Sequence, residues 1–307
     1  MTWAGAGFRT GWAGAVAALI VVVGAVAGCS SSAASPSTVA GSAPLAPSVI
    51  ALPTELPGAI SYDDAMRLFQ YDRSLPFDVR EQGVDEEDVA AVHDFSYLLG
   101  SGKRMRAFLV LPRGNGPFGG VMFLPGGLGG PGEFLPEALD LAKSGIASLL
   151  ISEPELNPYP LTDAEAVTNI IFEMRELRRA LDLLASRPEV DAGRLGLVGV
   201  SFGAVRAATF AGIEGGRLKI AVLMSTPPSY DAPAMAPFDP IVWVPHVSPA
   251  ALFIHEGTQD QWFAHAEAES LIAAAREPKK LVWYQADHGL NENADDDRRG
   301  WLIAALG

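Results

Sequence analysis

Residues 195–211 read LGLVGVSFGAVRAATFA, and a change of rhythm inside them decides the expected fold. Residues 195–200 form a short continuous apolar run, the kind of strand that is buried on both faces of a parallel sheet. Residues 202–211 are small and mostly apolar and read as a helix. Between the two lies Gly199-Val200-Ser201-Phe202-Gly203, a G-x-S-x-G pentapeptide. A serine held in a sharp strand-to-helix turn is lifted above the sheet, and flanking glycines let the two backbones approach closely. In a chain with 32 glycines among 307 residues the pentapeptide alone says little. Its strand–turn–helix context is what makes Ser201 the candidate nucleophile.

On the N-terminal side, residues 93–99 and 105–111 are strand-like and joined by Gly100-Ser101-Gly102-Lys103, a hairpin signal. Before them, residues 62–88 are mixed and acidic, and one or two short helices are expected there. Strands follow at 120–124 and 146–151, with a helix over 134–143 between them. A long helix over 166–187 carries Val167, Ile170, Met174, Leu177, Leu181 and Leu184 at helical spacing and ends at Pro188. Beyond the pentapeptide the pattern gives strands at 220–225, 251–256 and 280–285, a helix at 263–276 and a closing C-terminal helix. A Pro-rich stretch covers 226–249. Apolar strands alternating with helices imply an α/β domain over 58–307, a mostly parallel central sheet with helices on both faces. No internal repeat is found.

Ligands of such sheets bind at the carboxyl ends of the strands. A serine nucleophile needs a base, and the base needs an orienting carboxylate. The strand at 251–256 is followed by Gly257-Thr258-Gln259-Asp260, and the last strand by Ala286-Asp287-His288-Gly289. Asp260 is therefore the expected acid and His288 the expected base. Asp287 and Glu256 are rival acids, the first turned away by its adjacency to His288 and the second placed at a strand end. His93, His246, His255 and His265 are expected to be structural or solvated, with His246 and His255 candidates for touching substrate. The oxyanion of a tetrahedral intermediate needs donors. One is the backbone N–H of Phe202; the other comes from Gly126-Gly127-Leu128-Gly129-Gly130, with Gly127 expected and Leu128 the alternative. Phe202, Tyr230, Phe238, Trp243 and Trp262 are candidate pocket aromatics, with ordinary core as the competing reading, and Arg206 is expected to be a structural ion-pair partner.

Residues 1–28 hold one charged side chain, Arg9, and an apolar run over 13–27 that ends in Val26-Ala27-Gly28-Cys29. A run of this length suits a signal-peptide core better than a membrane span. The ending resembles a bacterial lipobox, which implies lipidation of Cys29, the chain's single cysteine. Residues 29–57, rich in Ser, Ala and Pro, read as a flexible tether. The expectation is an extracytoplasmic domain anchored to the membrane through Cys29. The formal net charge of −14 excludes a nucleic-acid partner, because no basic stripe exists to neutralise phosphates. No metal or organic cofactor is expected, since neither a ligand cluster nor a Walker or G-x-G-x-x-G loop is present.

From about residue 71 onward the motifs together resemble the dienelactone-hydrolase-like branch of the α/β-hydrolases. They are Tyr71-Asp72, Pro76-Phe77-Asp78-Val79-Arg80, the Gly-rich loop, the serine pentapeptide, Gly257-Thr258-Gln259-Asp260 and His288-Gly289. The resemblance implies an α/β-hydrolase fold and hydrolysis of carboxylic esters of small to medium size through an acyl-serine intermediate. Two positions depart from the family. Ser201 stands where its best-known member has cysteine, so dienelactone is not the expected substrate. Pro125 stands where many relatives have histidine, which stiffens the loop. The Gly-rich loop and the serine's context are also similar to those of acyl-CoA thioesterases and acyltransferases. A non-catalytic lipid-binding lipoprotein is the remaining alternative.

Overall fold

The computed structural model describes residues 60–127, 129–152, 162–226 and 233–307. The expected signal peptide, Cys29 and the whole tether, together with Leu128 and Tyr230, lie outside them. Among the described residues no helix is long and apolar enough to cross a membrane.

Nine strands form one sheet in the order β1-β2-β3-β5-β4-β6-β7-β8-β9. β1 (Arg80–Glu86), β2 (Ala90–Leu98) and β3 (Arg104–Pro112) are an antiparallel meander. β3 meets β5 (Ile146–Ile151) antiparallel. From there β5, β4 (Phe118–Leu124), β6 (Val190–Val200), β7 (Leu218–Met224), β8 (Ala251–Gly257) and β9 (Lys279–Tyr284) run parallel. The expected mostly parallel sheet is thus found, with one strand more at its start. Of the one or two short helices expected over residues 62–88, one is found at Tyr62–Leu68, and residues 80–86, where no strand was expected, are β1. That strand is exposed at every position except Val84, so it carries no apolar alternation to read. A bulge between Glu81 and Gly83 interrupts its pairing with β2.

The sheet is covered on both faces because its strands bury alternate residues in opposite directions. Met122 and Leu124 join one core cluster, and Val121 and Phe123 the other. The first cluster packs under α1 (Tyr62–Leu68), α3 (Asp163–Ala185), α4 (Phe202–Glu214) and α6 (His265–Ala274). The second packs under α2 (Leu135–Ala142) and α7 (Glu292–Leu306). α3 starts at a capping box in which Thr162 and Glu165 each satisfy the other's backbone N–H. Arg206 on α4 pairs with Glu173 on α3 at 2.5 Å, the structural role expected of it.

The Pro-rich segment folds into a 3-10 turn (Pro233–Phe238) and α5 (Pro240–Trp243). Phe238 and Trp243 are fully buried there, stacked edge-on against Phe69. Of the two readings open for them, pocket lining or core, the second holds. The Trp243 indole N–H donates to the Pro237 carbonyl, so even its polar end is satisfied inside.

His255 and Glu256, consecutive on β8, are both buried. Burial, with help from the Arg298 and Lys280 charges, pushes His255 down to about 3 from 6.5. Burial, with help from the Asp260 charge, pushes Glu256 up to about 8 from 4.5. The unfolded chain protonates His255 below 6.5 while the folded chain does not, so stability falls as pH drops from 6.5 toward 3. The unfolded chain ionises Glu256 above 4.5 while the folded chain keeps its proton, so stability falls as pH rises from 4.5 toward 8. The two slopes oppose each other between 4.5 and 6.5. Burial likewise pushes Glu176 up to about 7, which adds a second falling slope from 4.5 to 7, so the expected result is a stability maximum near pH 4.5 with a loss of about 1.4 kcal/mol per pH unit on either side. Urea titrations across pH check it. Glu256→Gln keeps an acceptor for the Thr226 N–H and should reduce the loss by about 1.4 kcal/mol per pH unit between pH 4.5 and 8 while leaving the acid side below 4.5 as it was; an unaltered alkaline slope would refute the assignment.

Candidate active site

Ser201 sits between β6 and α4 with φ 53° and ψ −122°, a conformation L-residues rarely adopt. Its N–H donates to Met224 O at the end of β7, 2.9 Å away, and this helps hold the turn. The turn also needs α4 to start hard against β4. A Cβ on Gly203 would lie 2.4 Å from the carbonyl oxygens of both Leu124 and Pro125, so only glycine fits.

The three residues taken from strand ends come together. His288 Nε2 is 3.1 Å from Ser201 Oγ, and His288 Nδ1 is 2.7 Å from Asp260 Oδ2. A carboxylate can only accept, so Nδ1 carries the proton toward Asp260 and Nε2 accepts from the serine hydroxyl. The Asp260 side chain is 2% exposed, and its other oxygen accepts from Trp262 N at 2.8 Å. The acid is therefore buried, hydrogen-bonded at both oxygens and fixed in direction.

The loops that carry acid and histidine are bonded to each other. Thr258 N donates to Tyr284 O and Gln259 N to Ala286 O. Gly257 makes the contact possible, since a Cβ there would meet Asp287 O at 2.4 Å. The rival acids are occupied elsewhere: Asp287 accepts from Gly289 N, and Glu256 accepts from Thr226 N. The other histidines also have other surroundings. His93 pairs with Glu81, His246 stacks on Tyr62, His255 lies edge-on to Trp301, and His265 lies beside Trp283.

Ser225 escaped the sequence reading. It follows β7 with φ 48°, is fully buried, and donates its hydroxyl to His288 O at 2.7 Å. It thereby ties the histidine loop to β7, the strand beside the one that ends at Ser201. Its place directly after a strand was the available signal, the same one that selected Asp260 and His288.

Phe202 N is the first amide of α4, where a helix leaves its N–H groups unpaired by its own carbonyls. Gly127 borders the same cleft with φ +42°. Gly126 N is turned to Glu133 Oε2 at 3.3 Å, which leaves Gly127 as the described amide of that loop free to serve. Phe202 itself is exposed, beside the serine rather than in the core. The cleft at Ser201 has a volume of about 650 Å³. Phe134, Val200 and Met224 give it an apolar floor. Its wall carries the carboxylates of Glu133, Glu137, Asp140 and Asp295 against the guanidiniums of Arg298 and Arg299. Arg298 is engaged by Glu137 and Asp295, and Arg299 by Asp140 and Asp296.

No family model matches the chain. Over 152 residues, 45% of this chain, it is 31% identical to acyl-coenzyme A thioesterase 6 of Mus musculus. The match spans 34% of that protein, so the chain covers about a third of its curated relative. Among solved structures it is similar to an acetyl xylan esterase from Paenibacillus sp. R4, with a TM-score of 0.68 at 19% identity over 80% of this chain and 93% of that one. It is also similar to a dienelactone hydrolase from Anabaena variabilis ATCC 29413, with a TM-score of 0.54 at 20% identity over 71% of this chain and 99% of that one. Likeness at this level of identity shows the fold, and the fold is that of the α/β-hydrolases.

Proposed function

We propose that this chain is a serine hydrolase that cleaves carboxylic esters of small to medium size. The observation that carries the reading is the unbroken line from Asp260 through His288 to Ser201, with contacts of 2.7 and 3.1 Å. His288 Nε2 takes the Ser201 proton as Oγ attacks the acyl carbon, and Asp260 stabilises the imidazolium that forms. The N–H groups of Phe202 and Gly127 receive the oxyanion. The imidazolium then returns its proton to the leaving alkoxide as the acyl C–O bond breaks. Water, deprotonated by His288, attacks the acyl-serine and releases the acid and Ser201.

Fold neighbours named as esterases support this reaction class. The mouse relative's name favours a CoA thioester instead. The cleft argues against that choice. Both of its arginines are already paired, and its four carboxylates outnumber them, so a substrate that carries several phosphates meets net repulsion at the mouth of the site.

We extend the proposal to location: lipid on Cys29 would hold the domain on the outer side of the cell membrane, with residues 30–57 as tether.

A fluorophosphonate probe is expected to label the wild-type chain and to leave Ser201→Ala unlabelled. The p-nitrophenyl esters from acetyl to octanoyl should be hydrolysed with falling kcat/KM, and an acyl-matched CoA thioester at least about tenfold more slowly, a difference of about 1.4 kcal/mol in barrier. Cys29→Ala should be labelled as well but recovered in the soluble fraction. A silent probe together with inertness toward every ester would favour the non-catalytic reading.

A further inference from the structure

A second cleft, of about 530 Å³, opens on the flank of His288 and does not include Ser201. Gln259, Gln261 and Trp262 line one side, and Asp287, His288 and Gly289 the other. Trp262 is 77% exposed, the most open of the large apolar side chains described. Its ring centroid lies 6.4 Å from that of His288, and its backbone N–H donates to Asp260 Oδ1 at 2.8 Å. The backbone that carries the exposed indole is therefore anchored beside the catalytic base.

We propose that this cleft is a sugar subsite that receives the alcohol half of the ester. The proposal rests on the ester-hydrolase reading above and names the substrate class for it. The first argument is where the alcohol must be. His288 hands its proton to the leaving oxygen as the acyl C–O bond breaks, so the alcohol occupies space next to the imidazole. The second argument is the chemistry of the lining. A flat apolar face suits the C–H face of a pyranose ring. The amides of Gln259 and Gln261 each offer donors and an acceptor, and Asp287 accepts from hydroxyls. Asp287 spends one oxygen on Gly289 N and keeps the other. An alkyl alcohol would use the indole and leave these polar groups without partners. A phosphorylated alcohol would meet the Asp287 carboxylate with no lysine or arginine among the lining residues.

Two measurements test it. The first is hydrolysis of mono-acetylated methyl β-D-glucopyranoside against ethyl acetate. Trp262→Ala is expected to lower the preference for the sugar ester, the ratio of the two kcat/KM values, about tenfold, mainly through KM, with Trp262→Phe recovering part of it. The second is saturation-transfer NMR of unacetylated methyl β-D-glucopyranoside on Ser201→Ala. Transfer to the ring protons is expected, and it should vanish when Trp262→Ala is added. A ratio that does not move, or transfer that survives the loss of Trp262, overturns the subsite. Failure to hydrolyse ethyl acetate at all would instead strike the ester-hydrolase reading, and the NMR arm judges the subsite without turnover. Because Trp262 is mostly in solvent, its truncation removes little packing, and a far-UV spectrum matching wild type verifies the fold.

Discussion

Ser201→Gly is expected to abolish turnover and to raise the melting temperature. The first half follows from the proposed chemistry. Without Oγ no acyl-enzyme forms, and kcat should fall on the order of 10⁶-fold, with residual turnover left to the oxyanion donors. The second half follows from the backbone. At φ 53° and ψ −122° a residue with a Cβ is strained by about 1–3 kcal/mol, and glycine is not. Glycine gives back roughly 0.5–1 kcal/mol through the greater freedom of the unfolded chain. A net gain of about 1 kcal/mol remains, or about 2–4 °C in a domain of this size. Ser201→Ala is the control: it loses Oγ, keeps its Cβ and the strain, and should be as inactive without the thermal gain. Parallel melts of the three proteins decide the matter. If the glycine variant melts no higher than the alanine variant, the turn stores no strain.

Gly203→Ala is expected to damage stability and catalysis together. The added methyl would sit 2.4 Å from two backbone oxygens, those of Leu124 and Pro125, and neither can swing aside as a side chain would. Either α4 lifts from the sheet or the loop after β4 moves. The cost of such overpacking is about 3 kcal/mol, or roughly 6–12 °C. The same displacement shifts Gly127 relative to Ser201, so kcat should fall through the oxyanion. Gly130→Ala is the matched control, since a Cβ there meets nothing within 4 Å. Equal melting temperatures for the two variants would remove the steric argument.

What was legible in the sequence was whatever burial writes into it. β4 to β8 are buried strands, their apolar runs have no other reading, and the loops after β6 and β8 carried Ser201 and Asp260, while His288 follows the half-buried β9. β1 was missed for the converse reason: a strand with solvent on both sides is specified by its backbone pairing to β2, and that leaves no side-chain pattern. Phe238 and Trp243 stayed open between pocket and core because an aromatic residue in a Pro-rich stretch looks alike from either side of a wall. Only the fold of that stretch against Phe69 decides which side it faces. Ser225 was overlooked because its contribution runs from a side chain to a backbone oxygen 63 positions away, and pairs of that kind leave no spacing to find.

The outermost strand has a bearing on how copies of the molecule behave when crowded. A free sheet edge invites a second sheet to continue it. β1 answers with Arg80, Glu81, Asp85 and Glu86 along its length and with a register break at Glu81–Gly83. A neighbouring copy offering the same strand would meet like charges and out-of-step donors. Edge-to-edge growth into fibres is therefore opposed at the β1 side of the sheet.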